Sequence, residues 1–198
     1  MLLVALTGGI GAGKSEAGGI FQDLGAVVVD SDQLSRDVIE RGTSGFDEVV
    51  KLFGDEILKN GEIDRKKLSE IVFSDREKLS ELEKIIHPRV REAFEKIVHS
   101  CKEDDVIINQ IPLLVETDGA KRFDKVIVVT APIESRRSRL LSRGMKSYEI
   151  DKRLSNQASD EARNAVADYV LDNSGTKEEL LQKIEKLYLE LKAHASNN

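Results

Sequence analysis

Short runs of consecutive apolar residues alternate along the chain with stretches in which apolar residues recur every three or four positions. The runs are Leu2–Leu6, Ala26–Val29, Val106–Ile111, Val126–Thr130 and Tyr169–Leu171. Strands that are apolar on consecutive positions suit a parallel sheet covered on both faces. After the first run, Ala17, Ile20, Phe21 and Leu24 recur at helical spacing and Gly25 supplies a stop. Near the C-terminus, Thr176 and Glu179 have capping-box spacing. They precede one face made of Leu180, Leu181, Ile184, Leu187, Tyr188 and Leu191. Strands alternating with helices predict an α/β fold with a doubly wound, five-stranded parallel sheet.

Two stretches interrupt the alternation. Residues 31–104 hold no convincing strand and predict several helices, one capped by Ser74 with Glu77 and another carrying Pro88 in its first turn. So long a helical excursion between the second and third strands predicts a lobe set on the core. Residues 132–167 are rich in arginine (Arg136, Arg137, Arg139, Arg143, Arg153, Arg163) and poor in large apolar residues, which predicts a lid that covers the core incompletely. The core is then 1–30, 105–131 and 168–198, ending in a frayed Ser196-Asn197-Asn198 tail.

Composition narrows the class without changing this picture. At 198 residues the chain can bury a sizeable core, and a formal charge of −6 with pI near 5.3 disfavours a dedicated nucleic-acid binder. Cys101 is the single cysteine, so no intramolecular disulfide forms, in keeping with a reducing cytoplasm. No apolar run approaches the ~20 residues of a bilayer span, and the N-terminus lacks the basic region and cleavage site of a signal peptide. A cytoplasmic protein without membrane or nucleic-acid partner is the expectation.

Candidate chemistry starts at the first strand's exit. Gly8-Gly9-Ile10-Gly11-Ala12-Gly13-Lys14-Ser15 is a complete G-x-x-x-x-G-K-[ST] phosphate-binding loop, placed between a strand and a helix. Such a turn points backbone N–H groups at phosphate oxygens, with the positive end of the following helix facing the same anion. Lys14 can reach β- and γ-phosphates, and the Ser15 hydroxyl can ligate Mg²⁺. The fold is therefore a P-loop nucleoside-triphosphate hydrolase or kinase core. The second strand ends in Asp30-Ser31-Asp32, at the sheet edge where ligands bind, so an acid there can orient or deprotonate an acceptor hydroxyl. Capping of the following helix is the plainer role for the same residues. Arg139 and Arg143, four apart, can fold one helix face over phosphates, or form a solvated face paired with Glu134 or Glu149. His87, His99, His194 and Cys101 have no neighbours that make a nucleophile pair or metal site. No N-K-x-D guanine reader follows Val126–Thr130, which disfavours a regulatory GTPase; another small P-loop kinase is the alternative.

Taken in order, the P-loop, Asp32, His87-Pro88, Pro112-Leu113-Leu114 with Glu116, the arginines with Gln157, and Ala167-Asp168-Tyr169-Val170-Leu171-Asp172-Asn173-Ser174-Gly175 resemble the dephospho-coenzyme A kinase family over essentially the full length. The resemblance implies ATP-dependent phosphorylation of the ribose 3′-hydroxyl of dephospho-CoA, with Mg²⁺, by a monomer with at most weak self-association. It implies Asp32 as base, with Lys14, Arg139 and Arg143 catalytic. ATP would be held by Gly8 to Glu16 with Asn173 and Gly175 near adenine. The acceptor would be held by Asp32, His87, Arg91, Pro112, Leu113, Leu114 and Glu116. The chain departs from the family pattern at Glu16, where a small hydroxyl residue is usual. Gln110 replaces an aspartate, and no lid lysine stands near Ala162-Arg163.

Overall fold

A computed structural model describes residues 1–197. In chain order the elements are β1 (Leu2–Thr7), α1 (Lys14–Asp23), β2 (Val27–Asp30), α2 (Ser31–Asp37), α3 (Ser44–Phe53), β3 (Leu58–Lys59), β4 (Glu62–Ile63), α4 (Arg65–Ser74) and α5 (Arg76–Ser100). There follow β5 (Val106–Gln110), β6 (Lys125–Thr130), α6 (Ile133–Ser142), α7 (Ser147–Ser155), α8 (Asp160–Asn164), β7 (Tyr169–Asp172) and α9 (Lys177–Asn197). The chain divides into two compact units, one formed by Met1–Asp30 with the chain from Cys101 on, the other by Ser31–Ser100.

The first unit is built on a five-stranded parallel sheet in the order β2-β5-β1-β6-β7. All five expected strands are present, their ends shifted by no more than one residue. β1 is central, and Val4, Ala5 and Leu6 are completely buried, which explains its unbroken apolar run. Its side chains alternate between faces. Leu2, Val4 and Leu6 pack with Ala17 and Phe21 of α1 and Leu180, Ile184, Leu187 and Leu191 of α9. Ala5 lies on the other face with Leu114, Val126 and Val128. Phe21 meets Tyr188 edge to face, with ring centroids 6.4 Å apart. The capping box forms: Thr176 N donates to Glu179 Oε2 at 2.9 Å and Glu179 N to Thr176 Oγ1 at 3.2 Å. Leu181, expected on the apolar face, is exposed. α9 runs through Asn197, including the expected frayed Ser196 and Asn197, while Asn198 lies outside the described residues.

The second unit has its own core of Ile39, Val49, Ile57, Leu68, Val72 and Leu82. Three expectations change here. A small antiparallel hairpin joins β3 and β4 through Asn60 and Gly61, whose φ values of 56° and 81° are those of a two-residue primed turn. The cap before α5 is Asp75, not Ser74: Asp75 Oδ1 accepts from Glu77 N at 2.9 Å and Lys78 N at 3.3 Å, while Ser74 Oγ donates to Ile71 O. Pro88 lies inside the 25-residue α5 rather than opening a helix, so the two helices expected around it are one. Among the described residues no helix is long and apolar enough to cross a membrane.

Candidate functional site

The glycine-rich loop leaves the buried end of β1 and closes onto α1. Its geometry is set from behind by side chains distant in sequence. Ile10 O accepts from Arg136 Nε at 2.9 Å, and Gly11 O and Ala12 O from Arg139 Nη1 at 3.4 and 3.3 Å. Ala12 O also accepts from Asn173 Nδ2 at 2.9 Å. Every peptide bond among the described residues is trans, so each carbonyl points opposite to the next N–H. Drawing three consecutive carbonyls outward therefore turns the N–H groups of Gly11 and Gly13 toward the inner side of the loop. Ala12 N closes the turn on Gly9 O at 3.0 Å. Two glycines are needed at close approaches. A Cβ at Gly9 would stand 2.2 Å from Arg136 Nη2, and one at Gly13, which caps α1 with φ 104°, would stand 2.0 Å from Asn173 Nδ2. The result is an amide-lined concavity at a helix N-terminus, backed by two guanidinium groups, which suits a polyphosphate. Lys14 and Ser15 open α1 at this concavity.

The arginine-rich segment is anchored to the loop. Arg136 and Arg163 are buried to 4% and 2% exposure. Asp160 joins them, accepting from Arg136 Nη1 at 3.1 and 3.0 Å and from Arg163 Nη1 at 2.9 Å. Arginine stems fill the space that large apolar residues would fill elsewhere. Among the described residues neither Arg139 nor Arg143 pairs with Glu134 or Glu149; the acids of this segment serve other arginines, Asp160 for Arg136 and Arg163 and Asp151 for Arg137. Arg139 spends Nη2 on Asn173 O at 2.8 Å as well as Nη1 on the loop, so it stands behind the phosphate cradle rather than over it. Arg143 is exposed at the C-cap of α6, past the last helical turn, and does not join Arg139 on the loop. Arg153 is exposed on α7. Gln157 Oε1 accepts from Ile10 N at 2.9 Å. Asp160 was not among the residues singled out by sequence, because an acid inside a polar stretch carries no periodic signal.

Other candidates are placed as follows. Asp30 ends β2 beside Gln110 of β5, which in turn pairs with Leu6 of β1. The Gln110 amide lies against α1 at Gly18, where a Cβ would stand 2.6 Å from Nε2, and its buried Oε1 has no hydrogen-bond partner. Asp32 is exposed in the first turn of α2, and His87 and Arg91 are exposed one turn apart on α5, all in the second unit. Pro112 is half-buried and Leu113 is exposed. Leu114 is a correction: fully buried in the core, it offers no surface to an acceptor. Glu116 is also engaged within the protein, accepting from Ala158 N at 2.8 Å and lying 3.9 Å from Arg163 Nη2. Asn173 is buried and its amide bonds to the loop. Its turn is fixed by Asp172, whose carboxyl the Ser174 hydroxyl holds below the usual carboxylate range, with Lys183 adding to the effect. Gly175 immediately precedes the α9 capping box. The unusual Glu16 pairs with Lys177 at 3.1 Å, so its charge is compensated from the start of α9. Among the described residues no three His, Cys, Asp or Glu side chains cluster as metal ligands.

The chain matches a model of the dephospho-CoA kinase family over residues 2–179. It is 44% identical to the dephospho-CoA kinase of Thermobifida fusca over 193 residues, covering 96% of each chain. Among solved structures, TT1252 from Thermus thermophilus superposes with a TM-score of 0.86 at 31% identity, covering 96% of this chain and 97% of that one. Dephospho-CoA kinase from Campylobacter jejuni superposes with a TM-score of 0.72 at 28% identity, with the same coverage. The chain belongs to the dephospho-CoA kinase family.

Proposed function

We propose that this protein transfers the γ-phosphoryl group of ATP to the ribose 3′-hydroxyl of dephospho-CoA, giving CoA and ADP, the last step of coenzyme A synthesis. The observation that carries the phosphate half of this reading is the row of outward-turned carbonyls at Ile10, Gly11 and Ala12, which leaves an amide-lined cradle ahead of Lys14. Family membership carries the acceptor half.

In this reading the loop amides and Lys14 hold the β- and γ-phosphates and stabilise charge as the terminal phosphoryl moves. Asp32 orients the 3′-hydroxyl and takes its proton as the new O–P bond forms and the bond to ADP breaks. Arg139 acts from behind, fixing the loop and adding positive potential, while the exposed Arg143 is the cation available on the front. Asn173 supports the cradle, with Gly175 and Glu16 at its edges. His87, Arg91, Pro112, Leu113 and Glu116 remain the acceptor contacts; the fully buried Leu114 does not. The Ser15 hydroxyl and the partnerless Gln110 Oε1 are neutral oxygens that fit Mg²⁺ and its waters. When bound, the ion shields the phosphate charges. The enzyme acts in the cytoplasm as a monomer, without membrane or nucleic acid.

The test is a panel of acceptors (dephospho-CoA, nucleosides, nucleoside monophosphates, shikimate) with Mg²⁺ and ATP, read by ADP release. Dephospho-CoA alone should give rapid turnover, lost in Lys14→Ala. Faster turnover on another acceptor would replace this reading with a different kinase activity.

A further inference from the structure

Both polar groups of Ile10 are gripped by the arginine-rich segment. Its C=O accepts from Arg136 Nε at 2.9 Å and its N–H donates to Gln157 Oε1 at 2.9 Å. The two grips differ. Arg136 is buried, its Nη1 committed to Asp160 and its Nη2 packed against Gly9. Gln157 is half-buried, sits two residues past the end of α7, and bonds its own backbone N–H to Leu154 O at a long 3.4 Å.

The Ile10 N–H is a donor, so the oxygen of the Gln157 amide must face it. That fixes the orientation of the planar amide and leaves the two Nε2 N–H groups as donors on its other branch. The helix end of a phosphate-binding loop takes the α- and β-phosphates, and its lysine reaches the β- and γ-phosphates. The terminal phosphate therefore falls toward the strand end of the loop, where Ile10 lies. We propose that Gln157 is a binding residue for the γ-phosphate, with Oε1 anchored on Ile10 N–H and Nε2 donating to the terminal phosphoryl oxygens. Through this contact the arginine-rich segment distinguishes a triphosphate from a diphosphate. It rests on the reading of ATP as phosphoryl donor.

Two substitutions separate this role from simple support of the loop. Gln157→Glu keeps an oxygen for the Ile10 N–H but replaces the Nε2 donors with a carboxylate oxygen. Gln157→Ala removes both. Binding of Mg²⁺ with ADP, and of Mg²⁺ with the non-hydrolysable β,γ-imido analogue of ATP, is measured calorimetrically on the full chain without acceptor. Both variants should bind ADP within about threefold of wild type and the triphosphate analogue about tenfold or more weakly, as for loss of a hydrogen bond to a charged group. Their kcat with dephospho-CoA should fall as well. Wild-type triphosphate affinity in Gln157→Glu, or parallel weakening of both nucleotides in Gln157→Ala, would overturn the proposal in favour of a loop-supporting role. Failure of the wild type to bind either nucleotide would instead overturn the kinase reading beneath it.

Discussion

Asp160 is the residue whose loss should cost this protein most for its size. Its carboxylate receives three N–H bonds at 2.9–3.1 Å from Arg136 and Arg163, two guanidinium groups left 4% and 2% exposed. Arg163 already has Nε and Nη2 without hydrogen-bond partners, and its other acid, Glu116, is 3.9 Å away. Asp160→Asn keeps the shape but leaves two buried cations facing a neutral amide. Breaking a buried ion pair costs about 3–5 kcal/mol. The Asp160 side chain is itself 44% exposed, so water solvates part of what remains and the lower end, about 3 kcal/mol, applies. For a chain of this length that corresponds to a melting temperature lower by about 6–12 °C. Thermal unfolding followed by circular dichroism reads it directly. Arg163→Met in the Asp160→Asn background removes one uncompensated cation, so the double variant should melt no lower than the single one. A loss below about 2 °C in Asp160→Asn, against the range derived for a chain of this size, would refute the claim that this carboxylate holds the buried arginines.

Asp32→Asn should lower kcat about 10²–10⁴-fold, the range for a general base, while ATP affinity stays within about twofold. A large loss of ATP affinity would move Asp32 into the nucleotide site. Asn173→Ala deletes the bond to Ala12 O and should weaken ADP about three- to tenfold in a calorimetric titration; unchanged affinity would contradict its support of the loop. The Tyr169 hydroxyl is pushed up to about 12 by burial and by the Glu190 carboxylate that accepts it at 2.7 Å. A raised pKa means the folded state holds this proton more tightly. The stabilisation is complete below the unfolded value of about 10 and disappears as pH rises through about 12. Alkaline unfolding of Tyr169→Phe should lack this increment, and an identical alkaline profile in the two proteins would exclude it.

The sheet was legible because buried parallel strands leave unbroken apolar runs, and the cradle because its glycines, lysine and serine are contiguous. What holds the cradle was not legible. Ile10 meets Gln157 and Arg136 across 147 and 126 residues, and no local spacing reports such a meeting. Spacing left the arginine-rich segment open between a face over phosphates and a solvated one, whereas a guanidinium with enough acceptors buries like a large apolar side chain. The β3–β4 hairpin left a usable signal in Asn60-Gly61, but its two-residue strands are too short to show alternation. Pro88 looked like a helix start because proline fits a first turn well. Here contacts of α5 with α2, α3 and α4 sustain the helix through it.

The most direct test of the central claim is where the phosphate goes. The purified protein, incubated with Mg²⁺, ATP and dephospho-CoA, should yield a product that mass spectrometry and phosphorus NMR identify as phosphorylated on the ribose 3′-oxygen, with one ADP per product. Phosphate on the 2′-oxygen, or ADP formed with dephospho-CoA unchanged, would contradict it.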